Sequence, residues 1–410
     1  MNLEQTGKNI VDIQQMNRSL ILRTILRKHR TTRVELSNLT GLNKATVTNI
    51  VGDLITWGAV REVGLIAGKS GRRSIEIELV AEQYVTIGVW LTRRHFMVGA
   101  FDIYGECLFS ERFSVGLYSP IEDLISQMVD QIQRAEKRCQ DKTILGVAVA
   151  LPGPYIKREG RIALLTKRRE WQRVDIAQRL RDELSMEVFT QHDADAAVMA
   201  EWCHAENMDA SSSVLCIMVG HGLGGGIIED GKIISGCLGV AGEIGHMSIR
   251  YDGPRCECGN FGCLEQYCSS FAIQRRIKEL LKVYPNTECT EDIGLSEVIR
   301  LYKKDDPLAT YVVDEVARYL GFGIASLVNL FNPKKIIIGD ELSEAGEKFL
   351  DMIKCTVKER VLSEVYNNME IKLSTLSDAV LQGICISLVE YVVKKPEMFI
   401  RNSQPQPEGD

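Results

Sequence analysis

Residues 33–60 read RVELSNLTGLNKATVTNIVGDLITWGAV. Thr32 stands just before the first helical run and Glu35 three positions after it, the spacing of a capping box. The run, over about 33–39, stops at Thr40-Gly41, where glycine suits a left-handed helix end. A second helix is predicted from about Asn43 to Trp57, with Val47, Ile50, Val51, Leu54 and Ile55 on one apolar face, and Gly58 breaks it. Two helices around a glycine turn make a helix-turn-helix. The second opens with Asn43, Lys44, Thr46 and Thr48. Asn can pair with adenine, Thr can touch a thymine methyl, and Lys can reach guanine or phosphate, so these are the residues assigned to reading DNA. A protein-interaction module with a solvated polar face is the alternative.

The flanks favour DNA. Upstream, residues 17–29 carry Leu20, Ile21, Ile25 and Leu26 at helical spacing. Downstream, Val60–Val63 and Ile75–Leu79 alternate like two strands, joined by the basic, glycine-rich GLIAGKSGRRS of residues 64–74. Three helices and a two-stranded ribbon predict a winged helix-turn-helix over residues 1–80. Arg72 and Arg73 on the wing suit an A·T-rich minor groove, the alternative being a plain flexible linker. The first 80 residues hold 12 basic against 7 acidic side chains, whereas the other 330 carry a net charge of −11. A basic end on an acidic body points to a polyanion, here double-stranded operator DNA, as partner of one module. One such module binds weakly, so a homodimer or homotetramer on paired half-sites is expected.

The chain has 410 residues, 45% hydrophobic and 25% charged, an ordinary globular composition. No apolar run reaches the roughly 18 residues of a membrane span, and the N-terminus lacks the apolar core of a signal peptide, so a cytoplasmic protein without membrane insertion is expected. From about Tyr84 buried strands alternate with helices: 85–91, 96–101, 144–150, 214–219 and 335–339 against 120–138, 175–185, 193–206, 270–283 and 309–330. That is an α/β body over residues 81–395, long enough for two lobes. Residues 396–410 are expected to be a disordered tail.

Twelve cysteines do not suggest disulfides in a reducing compartment. Single ones in apolar segments, such as Cys107, Cys216, Cys237 and Cys385, read as small buried hydrophobes. Cys256, Cys258 and Cys263 differ. With His246 they give His-x9-Cys-x-Cys-x4-Cys, three thiolates and an imidazole suited to tetrahedral zinc. Cys268 is the rival for the fourth position. Four protein ligands leave no open position, so the zinc is expected to be structural.

Five stretches carry a family likeness: LPGP at 151–154, QHDADAAVMAE from Gln191, GHGLGGGII at 220–228, GEIGH at 242–246 and CECGNFGCLE at 256–265. With the N-terminal winged helix, the chain resembles the ROK family (repressors, open reading frames and kinases), on its transcriptional-regulator branch. The resemblance implies a two-lobed actin-like/ribonuclease-H-like ATPase body with a sugar-type ligand between the lobes. It places the family's sugar ligands on His192, Asp193, Glu243, His246 and Glu265. Asp193 holds the family's catalytic-base position, here vestigial; on spacing alone the reading as a helix N-cap would win. His246 would bind zinc through one ring nitrogen and a sugar hydroxyl through the other.

The family's kinases carry an Asp-x-Gly-Gly-Thr phosphate loop after the first strand. Trp90 stands at that Asp, and Thr92 and Arg93 replace the glycines. His221 replaces a threonine of the second phosphate loop. The expectation is therefore a non-enzyme: a repressor of carbohydrate genes controlled by a sugar or sugar phosphate. A kinase with a DNA-binding extension and a repressor released by a regulatory partner protein are the alternatives. Lys167-Arg168-Arg169 has two readings, a seat for a sugar phosphate and a merely solvated basic run.

Overall fold

Three helices, α1 (Ile10–Lys28), α2 (Arg33–Thr40) and α3 (Lys44–Thr56), bury Ile21, Leu22, Ile25, Leu36, Val47, Val51 and Leu54 against one another. The computed structural model describes residues 10–67, 73–116, 119–163, 169–205 and 212–399. Thr32 caps α2 by accepting the Glu35 N–H at 3.2 Å, but the Glu35 carboxylate accepts from the Thr31 hydroxyl, so only half of the capping box forms. Gly41 ends α2 in the left-handed region, φ 71°. The wing is a three-stranded sheet and not a two-stranded ribbon. Short β1 (Arg30–Thr32) adds antiparallel to β3 (Arg73–Leu79), which also pairs with β2 (Val60–Ala67). A three-residue strand beside a helix start carries no readable alternation.

Lobe one is a five-stranded sheet of β4 (Tyr84–Leu91), β5 (His95–Asp102), β6 (Cys107–Ser114), β7 (Thr143–Leu151) and β10 (Val188–His192), in the order β10-β7-β4-β5-β6. The hairpin β8 (Tyr155–Ile156) and β9 (Arg161–Ile162) precedes β10, and α4 (Ile121–Arg138), α5 (Ile176–Glu183) and α6 (Asp193–His204) complete the segment. Lobe two repeats the plan with β11 (Val214–Val219), β12 (Leu223–Glu229), β13 (Lys232–Ile233), β14 (Lys335–Gly339) and β15 (Glu370–Leu373), in the order β13-β12-β11-β14-β15. In each sheet the first strand pairs antiparallel with the second and parallel with the fourth. This duplicated order is the expected actin-like body. Helices α7 (Glu265–Cys268), α8 (Ser270–Leu280), α9 (Leu295–Tyr302), α10 (Pro307–Phe331), α11 (Glu347–Lys358) and α12 (Ser363–Asn367) belong to lobe two.

The last helix, α13 (Ala379–Val393), is apolar nearly all round and buried. It lies on β4 and β7 of lobe one, while α6 lies on β11 and β12 of lobe two, and the two helices pack face to face between the sheets. The N-terminus of α6 thereby comes to the cleft between the lobes. α13 also meets α1, where Arg23 pairs with Glu390 at 3.3 Å.

Two expectations need correcting. Residues 396–399 are not part of a disordered tail: Phe399 is 1% exposed, edge-on to the Tyr84 ring at 5.2 Å, because the turn after α13 folds back over lobe one. Residues 400–410 lie outside the described residues. Cys216 and Cys385 are buried as expected, but Cys107, on the edge strand β6, and Cys237, in the loop after β13, are exposed. Phe399→Ala should cost about 3–5 kcal/mol of stability, as a buried aromatic does. Urea unfolding of the full chain checks this.

Candidate functional site

The cleft between the lobes gathers what the sequence scattered. His192, Asp193, Glu243, His246 and Glu265 all line it, with Trp90 from β4 and Thr92 and Arg93 from the turn after it. His192 ends β10 and is itself the N-cap residue of α6, so Asp193 is not the cap: it opens the helix. Its Oδ1 accepts the Ala194 N–H at 2.8 Å and lies 3.2 Å from His192 Nε2. Burial pushes the Asp193 carboxyl up, and the neighbouring His192 opposes this.

Glu243 precedes a single turn, Ile244–His246, that packs on the glycine-rich strand β12. Burial, with Asp193 and Glu265 adding like charge, raises its carboxyl to about 7. Its Oε1 is buried with no hydrogen-bond partner. An unmet buried acceptor facing a cleft is the signature of a group waiting for a donor such as a sugar hydroxyl. Glu265 accepts the Leu223 N–H at 3.1 Å, which ties the start of α7 to the turn between β11 and β12.

His246 faces the other way as well. A ring nitrogen of His246 and the Sγ atoms of Cys256, Cys258 and Cys263 all lie within 4.8 Å of one another. Cys256 Sγ is 3.7 Å from His246 Nδ1, and Cys258 Sγ is 3.6 Å from Cys263 Sγ. Zinc–sulfur bonds of about 2.3 Å in a tetrahedron put the sulfurs about 3.8 Å apart, so the donor set and its spacing fit zinc. Gly262, at φ 65°, makes the loop possible: a Cβ there would sit 1.7 Å from the Arg250 carbonyl oxygen. Cys268 is not a member. It is fully buried on α7, its thiol toward the Val316 carbonyl.

The far end of the cleft holds groups that the motif reading passed over. His95 is buried between Thr92 and Arg112, and burial, with the Arg112 charge, lowers it to about 4. Asp340 and Glu341 follow β14 and line the same space. Their position at the carboxyl end of a parallel strand was the available signal. Asp340 adopts φ 67°, ψ −169°, a region that is almost wholly glycine's. Its carboxylate fills the space over Gly220, where an added Cβ would meet it at 2.4 Å. Burial and Glu341 raise it to about 7.

On the head, Asn43, Lys44 and Thr48 are exposed and Thr46 half-buried. Asn43 is the N-cap of α3, its Oδ1 accepting the Thr46 N–H at 2.8 Å, which leaves mainly its amide donors for any outside partner. Thr48 donates to the Lys44 carbonyl. The same face exposes Ala45 and Asn49, missed in the sequence although they lie one helical turn apart. Arg18, Arg30, Arg33 and Arg61 are held in ion pairs with acids of the head and its junction with the body. Arg72, Lys167 and Arg168 lie outside the described residues, as do the side chains of Arg73 and Arg169.

Below about pH 4 the Asp340 carboxyl is neutral in folded and unfolded chains alike. Between about 4 and 7 only the unfolded chain ionises there, so native stability falls as pH rises through that window and levels off above it. Asp340→Gly removes this fall and the backbone strain together. The variant should be more stable by about 1–3 kcal/mol at pH 7, with a smaller gap at pH 4. Denaturant titrations at the two pH values check this.

Residues 86–387 match the ROK family. A xylose repressor of Caldicellulosiruptor bescii is 33% identical over 92% of this chain and 96% of its own. The DNA-binding transcriptional dual regulator NagC of Escherichia coli is 31% identical over 90% and 91%. Among solved structures, a ROK family transcriptional regulator described as a homologue of the E. coli MLC protein superposes with a TM-score of 0.82 over 96% of this chain and all of that one. At 24% identity this is a likeness of fold. A ROK family glucokinase from Streptomyces griseus, solved with glucose and AMPPNP, is 26% identical with a TM-score of 0.64, over 73% of this chain and 98% of its own. The kinase thus covers the body, the regulators cover head and body together, and the chain belongs to the ROK family.

Proposed function

We propose that the protein is a DNA-binding repressor of carbohydrate-metabolism genes, with its operator affinity set by a sugar or sugar phosphate in the cleft. One observation carries this reading. A single chain joins an exposed polar helix face on α3 to a cleft whose buried acceptor, Glu243 Oε1, has no partner. Asp193, Glu243 and Glu265 accept ring hydroxyls, and His192 orients Asp193. His246, Cys256, Cys258 and Cys263 hold zinc, which supplies a rigid cross-link for the loop. His246 keeps its second ring nitrogen for the ligand. Asn43, Lys44, Thr46 and Thr48 face DNA, with Arg72 and Arg73 on the wing. Two heads of a homodimer, or pairs within a homotetramer, meet the two halves of a palindrome in the cytoplasm.

The kinase alternative is disfavoured by charge and bulk. Trp90 at the end of β4, with Thr92 and Arg93 in the turn after it, stands where the family's kinases approach phosphate through glycines. Asp340 and Glu341 bring two carboxylates beside the second glycine turn, where a triphosphate would be repelled.

Three outcomes are expected. Glu243→Gln keeps operator binding but weakens sugar binding at least tenfold, so sugar no longer releases the operator; titration calorimetry and gel-shift assays check both halves. A sugar that lowers wild-type operator affinity roughly 5–150-fold corresponds to a coupling of about 1–3 kcal/mol. If saturating sugar leaves operator affinity unchanged, the reading fails. Lys44→Ala weakens operator binding and lowers the slope of log affinity against log salt by about 1. Metal analysis finds one zinc per chain, lost in Cys258→Ser with about 10–100-fold weaker sugar binding, and kept in Cys268→Ser.

A further inference from the structure

Behind the cleft lies a second cavity, of about 260 Å³, with His192 as the shared wall. Alternation along β10 accounts for the division. Phe189 and Gln191 point to the back, and His192, at the end of the strand, borders both spaces. α6 adds Asp195 and Met199 to the floor. α13 adds Ser387, Glu390 and Tyr391, and its C-cap Lys394 continues the stripe at helical spacing. Lys157, after β8, stands at the mouth with its ammonium 4.6 Å from the Phe189 ring centre.

Besides the shared His192, three polar side chains in this cavity are more than nine-tenths buried: Asp195 at 5% exposure, Ser387 at 6% and Gln191 at 8%. Each has an atom with no hydrogen-bond partner, Asp195 Oδ1, Ser387 Oγ and Gln191 Oε1. Buried polar atoms are rarely left unmet, and three around one void ask for a common occupant. The two carbonyl-type acceptors call for donors. At the mouth the need is opposite. Lys157 is held below its ordinary pKa by desolvation first; the Asp195 carboxylate opposes this and the nearby Lys394 charge adds to it. Asp195 answers Lys157 from the floor, and the repulsion between the two ammonium groups at the mouth still favours an anion between them. The front cleft, with three carboxylates among its ring-facing groups, has the reverse character.

We propose that the back cavity is a second ligand site, for a small polyhydroxylated anion, a sugar phosphate or a sugar acid. Its hydroxyls donate to Asp195 and Gln191, and its anionic group lies between Lys157 and Lys394. The site does not depend on the cleft reading, because none of its unmet atoms belongs to the cleft's carboxylates. Glu390, in its wall, pairs with Arg23 of α1, so the occupant sits one side chain away from the DNA-reading head.

Titration calorimetry on the full zinc-loaded chain tests this with glucose 6-phosphate and gluconate as probes, and with glucose and inorganic phosphate as controls. To silence the front cleft, the titrations are made in Glu243→Gln as well as in the parent. The expected result is that at least one probe binds both proteins with affinities within about threefold. That probe should bind at least tenfold more weakly to Lys394→Glu and to Lys157→Met, whose substituted side chains are exposed and leave the melting temperature in place. Failure of both probes to bind Glu243→Gln would overturn the proposal and leave the cavity to ordered water. Unchanged affinity in both lysine variants would overturn it too. Failure of the cleft reading shows separately, as sugar without effect on operator affinity.

Discussion

The two helices between the sheets, α13 and α6, touch at Gly383 of α13. A Cβ there would lie 1.7 Å from the Ala196 carbonyl oxygen of α6, so no side chain fits. Around it α6 presents Ala194, Ala196, Ala197 and Ala200, all fully buried. Small residues on both helices let their backbones touch, and the touching helices set the separation of the two sheets. Everything that works in the cleft hangs on that separation. His192 and Asp193 lie at the start of α6, whereas Glu243, His246 and Glu265 come from lobe two. They face one another because the helices between the sheets are thin.

Much of this was readable in advance. The helix-turn-helix followed from apolar spacing and Gly41, and the body's central strands from short runs of Val, Ile and Ala buried on both faces. The metal-type cluster was legible because cysteine in a polar glycine-rich loop has little packing use. The five cleft residues assigned to a ligand came from the resemblance to a family and not from any local pattern. Each looks ordinary in its own stretch, and only the fold brings them together.

What escaped the sequence escaped for physical reasons. β12 is LGGGIIE, poor in the β-branched residues that mark a strand, and it forms because β11 pairs along its full length. β6 is an edge strand, exposed on most positions, so its burial pattern is weak. Phe399 sits in a polar, proline-rich stretch that reads as a tail, yet one aromatic ring with Tyr84 to pack on is enough to fold it back. Asp340 could not be weighed either, since the cost of its backbone and its burial exists only once β14 delivers it to Gly220.

The pairing of α1 with α13 has a kinematic meaning. The head is joined to the body covalently through the short link between β3 and β4, and again at Arg23–Glu390 and Gln15–Glu397, far along the chain. Its apolar core runs on without a break into Tyr84, Val392 and Phe399 of the body. A domain held by one flexible tether tumbles and loses memory of what the rest of the molecule is doing. A domain held at three separated points and through a shared core moves with what it is held to, so α3 is carried by α13 and does not swing free of it.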